Sequence, residues 1–275
     1  MRDFPPVLRT ALWLAGARVL ETKRPRPLVT DTFAERLLGD EGLKAALDLE
    51  RAHPAPRAII RRVRLVDELV TRYVKDRRIE VVIMAGTGLD ARPYRLDLPA
   101  TLTWIEIDVP VVTDWKDERL RGVPARCIVE RIGVDLMRPG ALATAIGDRC
   151  MGKRTLVLIE NLLQYFSTRD TQLFFRDTKC FAPGTVTVAD IPNSAFVTSK
   201  IGREMSVELE NRDVQGRTAI DDVPSFMAPL GFRVLETHHV PCLSDSPVAW
   251  TAHQCPWWMT KKKSDLLRVV VLEKL

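Results

Sequence analysis

The apolar run Val81-Val82-Ile83-Met84-Ala85 passes directly into Gly86-Thr87-Gly88-Leu89-Asp90-Ala91, a G-x-G-x-x-A turn. Glycines there, Gly86 and Gly88 foremost, permit tight backbone turning and let a ligand come close to the main chain. About twenty residues on, Trp104-Ile105-Glu106-Ile107-Asp108 ends a second apolar run in a carboxylate, where ribose hydroxyls find an acceptor. A glycine turn alone has a purely structural explanation. With a strand before it and an acidic strand end after it, the pattern points to a nucleotide-like cofactor.

Neither feature chooses between a nicotinamide cofactor and S-adenosylmethionine. Two later strand ends add information: Gly133-Val134-Asp135-Leu136, and Ile159-Glu160-Asn161-Leu162-Leu163-Gln164-Tyr165. Ligands of open parallel sheets sit at such carboxyl ends. Asp135 is placed to accept an adenine amino group, with a helix cap as its structural alternative. Glu160 and Asn161 lie where a cofactor ammonium and an incoming acceptor would meet, and for Glu160 the alternative is a sheet-end ion pair. Tyr165 and Asn161 are the candidates for positioning an acceptor, Tyr165 being equally suited to half-buried packing. No His-carboxylate pair stands out: His238 and His239 fall in a predicted strand, and His53 and His253 lie near prolines. Trp250, Trp257 and Trp258 are candidates to wall an apolar acceptor pocket.

The elements that must carry these residues follow from periodicity. Helical spacing of apolar residues runs from Val7 to Leu20 and again from Ile59 to Val74, and a short amphipathic run after Asp31-Thr32 ends near Gly39. From Ile79 short apolar runs alternate with helical stretches, as in βαβ units. Strands are predicted near 79–85, 102–108, 126–132, 155–160 and 185–190, with further runs at 232–239 and 267–272. Helices are predicted at 168–182 and 221–230. The expectation is one α/β Rossmann-like domain over 1–275: a helical N-terminal cap (1–78), then a core (79–275) with about seven mostly parallel strands. The polar stretch 193–216 is either an insertion over the active site or an extra surface helix.

The chain has 275 residues and a net charge of +5, from 41 basic against 36 acidic side chains. This excess is too small and dispersed to indicate nucleic acid, but it favours an anionic small substrate. The five cysteines include no C-x-x-C pair, which fits neither a disulfide framework nor a zinc cluster, so a cytoplasmic protein without a metal is expected. The apolar stretch 11–17 is too short to span a bilayer.

At this point a resemblance becomes specific. The chain resembles the leucine carboxyl methyltransferase family, including bacterial relatives that act on small molecules, through Arg62-Val63-Arg64, the segment Gly86 to Leu96, Glu106-Ile107-Asp108-Val109-Pro110 with Lys116, Asp135-Leu136, and Glu160 to Tyr165. It implies a class I methyltransferase fold and S-adenosyl-L-methionine as methyl donor. It also implies that Arg62 pairs with the donor carboxylate, Gly86 approaches its methionine part, Asp108 binds the ribose, Asp135 and Leu136 frame the adenine, and Glu160 faces the ammonium. Lys23 or Arg24 would supply a second basic contact. Met84 and Thr87 depart from the family's usual small residues.

The expected activity is O-methyl transfer to a carboxylate or hydroxyl of a small molecule. The rivals are a nicotinamide-dependent oxidoreductase and a non-catalytic binding module. Against the first, none of the three tyrosines, Tyr73, Tyr94 and Tyr165, begins a Tyr-x-x-x-Lys pair. Against nucleic-acid methylation, the fourth strand end lacks an Asp/Asn-Pro-Pro-aromatic motif.

Overall fold

The computed structural model describes residues 6–52, 57–178, 181–199, 217–240 and 267–275. Three helices precede the first strand: α1 (Pro6–Thr22), α2 (Ala34–Ala52) and α3 (Arg57–Asp76). Then come β1 (Val81–Ala85), α4 (Arg92–Arg95), β2 (Thr103–Asp108), α5 (Pro110–Arg119), β3 (Ile128–Gly133), α6 (Ala141–Ile146) and β4 (Thr155–Ile159). A 3-10 turn at Leu163–Tyr165 leads to α7 (Thr168–Asp177), β5 (Val186–Asp190) and α8 (Ser194–Thr198). Later in the chain lie α9 (Val223–Met227), β6 (Phe232–Val240) and β7 (Leu267–Lys274).

The strands form one seven-stranded sheet in the order β3-β2-β1-β4-β5-β7-β6. β1 to β5 are parallel, and β7 runs antiparallel to both its neighbours. The expected mostly parallel α/β sheet is therefore what forms. After β3 the chain crosses back to place β4 on the other side of β1, which makes the β1/β4 boundary the topological switch point.

Central strands β1, β4 and β5 are buried at every position, because helices cover both faces. Val81, Ile83 and Ala85 pack with Leu142 and Ile146 of α6 and Phe174 and Phe175 of α7. Val82 and Met84 point the other way, against Val66, Leu69, Val70 and Tyr73 of α3. A third cluster joins Leu12 and Ala15 of α1, Leu37 and Leu38 of α2, Tyr94 of α4 and Val112 of α5. There α1 and α2 approach so closely that a Cβ on Gly16 would lie 2.6 Å from that of Ala46.

Local signals account for most boundaries. Asp31 accepts the backbone N–H groups of Phe33 and Ala34 through Oδ1, opening α2, and Ser167 accepts that of Asp170, opening α7; such caps contribute about 1 kcal/mol each. Three expectations need correction. The run ending near Gly39 bends there at φ 62° and continues as helix to Ala52. α7 stops at Asp177 rather than 182, and the 221–230 helix is α9 plus a 3-10 turn at Ala228–Leu230. Of the stretch 193–216, Asn193 caps α8 by accepting the N–H of Phe196, while 200–216 lie outside the described residues.

Candidate functional site

A pocket opens at the carboxyl ends of β1, β2 and β4 and the loop after β3, with α1 and α3 closing its sides. Its wall brings together Arg62, Gly86, Gly88, Asp108, Asp135, Leu136, Glu160, Asn161 and Tyr165 from among the candidate residues of the sequence analysis.

The glycine turn is the floor. Gly86 adopts φ 72° and its N–H donates to the Ile107 carbonyl at 2.8 Å, which ties β1 to β2. A Cβ there would meet the Leu162 side chain at 3.0 Å, so only glycine lets the β4 loop close over the turn. Gly88, at φ 48°, donates its N–H to Asp108 Oδ2 at 2.7 Å, while Asp108 Oδ1 accepts from Val109 at 2.8 Å. Burial pushes the Asp108 carboxyl above its ordinary range, and these two bonds together with the Lys116 charge pull against that rise. Beneath the turn Lys116, fully buried, donates to Thr87 Oγ1 at 2.9 Å and pairs with fully buried Glu106 at 2.7 Å. Arg131 completes this group at 2.7 Å from the other Glu106 oxygen.

At the β4 end, Glu160 is held by two guanidinium groups, Arg62 Nε at 3.1 Å and Arg92 Nη1 at 2.7 Å. Burial raises its carboxyl, but Arg92 and then Arg62 prevail and hold it below the ordinary range. The ion pair foreseen as an alternative role thus exists, in a residue that also faces the pocket. Arg92 in turn pairs with Asp90 and Asp67, each at 2.7 Å, and Arg95 forks onto Asp67. The segment Gly86 to Leu96 therefore supplies both the turn and its counter-charges.

Arg62 is 3% exposed, so it is no surface residue; Asp67 and Glu68, its nearest acidic neighbours in sequence, are engaged by Arg92 and Arg64 instead. Its Nη1 donates to Asp190 at 2.8 Å and to Asn161 Oδ1 at 3.4 Å. Asn161 sits at φ 58°, a left-handed conformation that asparagine tolerates better than most residues. Asp135 accepts the Met137 N–H at 3.0 Å within a turn; it caps no helix, since α6 begins only at Ala141 with Gly140 at its N-cap. Tyr165 ends the 3-10 turn, half-buried against the core.

A charged wall residue escaped sequence reasoning. Arg18 of α1 is buried and reaches the pocket, pairing with Asp31 at 2.8 Å and donating to the Leu89 carbonyl at 2.6 Å. Lys23 and Arg24, considered for that basic role, are exposed and paired with Glu35 and Glu21. The available signal was Arg18's helical alignment with Ala11 and Leu14, a stripe that faces the pocket. His238 pairs with Glu236 on β6, and neither it nor His239 lines the pocket. His53, His253, Trp250, Trp257 and Trp258 lie outside the described residues.

Comparison with known proteins identifies the family. The family model described as leucine carboxyl methyltransferase matches residues 11–178, from α1 to the end of α7. A protein of Mycobacterium ulcerans described as an S-adenosyl-L-methionine-dependent methyltransferase is 30% identical over 89% of this chain and 88% of its own length. A second protein so described, from Mycobacterium marinum, is 32% identical over 70% of this chain and 66% of its own. The tetracenomycin polyketide synthesis O-methyltransferase TcmP of Streptomyces glaucescens is 32% identical over 62% of this chain and 60% of its own. A solved methyltransferase structure from Thermobifida fusca shares the fold at TM-score 0.62 and 12% identity, covering 96% of this chain and 93% of that one. A DUF574-family structure from Streptomyces avermitilis does so at TM-score 0.60 and 15% identity, covering 95% and 97%. The nicotinamide and binding-module alternatives are thereby set aside, and the chain belongs to the leucine carboxyl methyltransferase family of S-adenosylmethionine-dependent methyltransferases.

Proposed function

We propose that the pocket binds S-adenosylmethionine and that the protein methylates an oxygen, in the first place a carboxylate oxygen, of a small anionic molecule. The observation that carries this reading is the arrangement of one guanidinium and three carboxylates, Arg62, Asp108, Asp135 and Glu160, around the Gly86 turn. That donor set matches the groups of the methyl donor: its carboxylate, ribose hydroxyls, adenine amine and ammonium. Bound there, the donor supplies an electrophilic sulfonium methyl.

The chain's own part is binding and orientation. Arg62 spends Nε and Nη1 on Glu160, Asn161 and Asp190, leaving Nη2 without a protein partner among the described residues to meet a carboxylate. Asp108 accepts one backbone N–H on each oxygen and keeps lone pairs for hydroxyls. Asp135 and Leu136 border the adenine site, and Glu160 faces the ammonium. Ile59, Leu162 and Phe166 add apolar wall that keeps water from the reacting centre. Asn161 and Tyr165 hold the acceptor in line with the methyl, an arrangement that supplies much of the rate in a displacement.

A carboxylate acceptor needs no proton removed, which suits a wall with no histidine among the described residues. The likeness to TcmP, an O-methyltransferase, supports oxygen as the acceptor atom. Buried, free Cys127 suits a reducing cytoplasm; among the described residues no helix is long and apolar enough to cross a membrane.

The test is a transfer assay with isotopically labelled methyl donor against small carboxylic acids and phenols. Carboxyl methyl esters release the label as methanol in mild alkali, whereas ethers retain it. Alkali-labile label supports a carboxylate acceptor, alkali-stable label assigns a hydroxyl, and no calorimetric binding of the donor refutes the pocket assignment.

A further inference from the structure

Asp190 closes β5, one strand beyond the pocket wall, and its side chain is 10% exposed. Its two oxygens reach two different pocket residues. Oδ2 accepts Arg62 Nη1 at 2.8 Å, and Oδ1 accepts the backbone N–H of Asn161 at 2.9 Å. Arg62 comes from α3 and Asn161 follows β4, so a single buried carboxylate joins three elements at the methionine end of the site. Asn161 gains an anchor from this bond, which holds its left-handed backbone in place. Arg62 gains one too: of its two carboxylate partners, Glu160 is shared with Arg92, while Asp190 has no second side-chain cation at ion-pair distance among the described residues.

We propose that Asp190 is a positioning residue for the methyl donor, fixing the Arg62 guanidinium and the turned backbone of Asn161 in the orientation that the donor's amino-acid end requires. This rests on the donor assignment above.

The charged groups facing Asp190 are Arg62 from α3, Glu160 at the β4 end with Arg92 behind it, and Arg268 on the adjacent β7. The Arg268 guanidinium is turned to the carbonyls of Ile220 and Asp221. Burial pushes the Asp190 carboxyl up to about 6, Arg62 pulling against the rise and Glu160 adding to it. Below that value Asp190 takes a proton and Arg62 loses an ionic partner, so donor affinity falls on acidification. For the donor-free fold the sign is opposite. A carboxyl raised by burial favours the folded state at low pH and loses that contribution as pH rises through about 6. An Asp190→Asn side chain, which cannot ionise, is spared this loss. Its Oδ1 still accepts from Asn161, but its amide N–H groups face Arg62 donor to donor.

The experiment measures dissociation constants of S-adenosylmethionine and S-adenosylhomocysteine by calorimetry for the full chain, Asp190→Asn and Asp190→Ala, from about pH 5 to 8, with melting temperatures recorded without ligand. For the unmodified protein, donor affinity falls about fivefold from pH 7 to pH 5, as follows for a group titrating near 6 whose neutral form binds about tenfold more weakly. Asp190→Asn binds about tenfold more weakly at pH 7.5, with a flat profile and a melting temperature at pH 8 that is unchanged or higher. S-adenosylhomocysteine, with the same amino-acid end and no sulfonium charge, loses the same factor. Wild-type affinity and pH profile in Asp190→Asn, or a lowered melting temperature as its sole effect, overturns the proposal. Failure of the unmodified protein to bind either ligand overturns the donor assignment itself.

Discussion

Replacing Lys116 with methionine removes one charge from a pair in which both side chains are fully buried. Glu106 keeps Arg131 at 2.7 Å, and the Thr87 hydroxyl keeps only a contact to Met84 sulfur at 3.6 Å. Breaking a buried pair from one side costs about 3 to 5 kcal/mol, because a charge is left without its partner. The surviving Arg131 places the expected loss near the low end, about 3 kcal/mol. Spread over the unfolding entropy of 275 residues, about 0.6 kcal/mol/K, this lowers the melting temperature by about 5 °C. Lys116 also carries Thr87, so the variant should weaken donor binding, whereas a purely structural pair would leave binding alone. Denaturant unfolding of Lys116→Met, Glu106→Gln and the double variant, with donor calorimetry on each, tests both parts. The double variant should fall short of the summed single losses by at least about 1 kcal/mol, as residues in direct contact do. Single losses below about 1 kcal/mol with unchanged donor affinity would show that this buried pair does not support the turn.

Gly86→Ala should cost about 1 to 2 kcal/mol in stability from its φ of 72°. The added Cβ, 3.0 Å from Leu162, also pushes the β4 loop, so donor affinity falls; wild-type binding would disprove the close approach. Asp108→Ala should weaken donor binding by about 1 to 3 kcal/mol through lost hydrogen bonds, and an unchanged constant in a folded variant would remove the ribose assignment. Arg62→Ala should lose about 2 to 5 kcal/mol of donor affinity. It should also lower the donor-free melting temperature, since Glu160 and Asp190 both lose a partner. Lysine should restore only part of the affinity. Arg64→Ala, exposed and paired with Glu68, is the control, and equal small binding losses at both positions would reject the Arg62 role.

The strands were legible because β1, β4 and β5 are short apolar runs flanked by turn residues, and the carboxyl ends of β1, β2 and β4 carried polar residues that line the pocket. The pocket-facing positions at strand ends followed from one rule, that an open parallel sheet binds ligands there, whereas Arg62 on α3 was reached only through the family resemblance. Charge partners were not legible. Arg62 meets Glu160 and Asp190 across separations of 98 and 128 residues, and nothing local in the sequence announces such pairings. The continuation of α2 past Gly39 was hidden because a glycine with positive φ reads as a stop, whereas packing of Ala46 against α1 carries the helix onward. Strand order was equally out of reach, since periodicity marks that a strand exists and not which neighbour it finds.

That order has a consequence for biosynthesis. Among the described strands β7 comes after all the others yet lies inside the sheet, bonded to β5 on one side and β6 on the other. A nascent chain that has emerged as far as β6 can pair β1 to β5, but β5 then presents an unsatisfied edge and β6 has no sheet to join. Exposed strand edges of this kind are templates for pairing between molecules. Translation that stalls or terminates before Leu267 should therefore yield aggregating chains with an assembled donor-side half-sheet, and insertion of β7 should cover the β5 edge that drives this pairing.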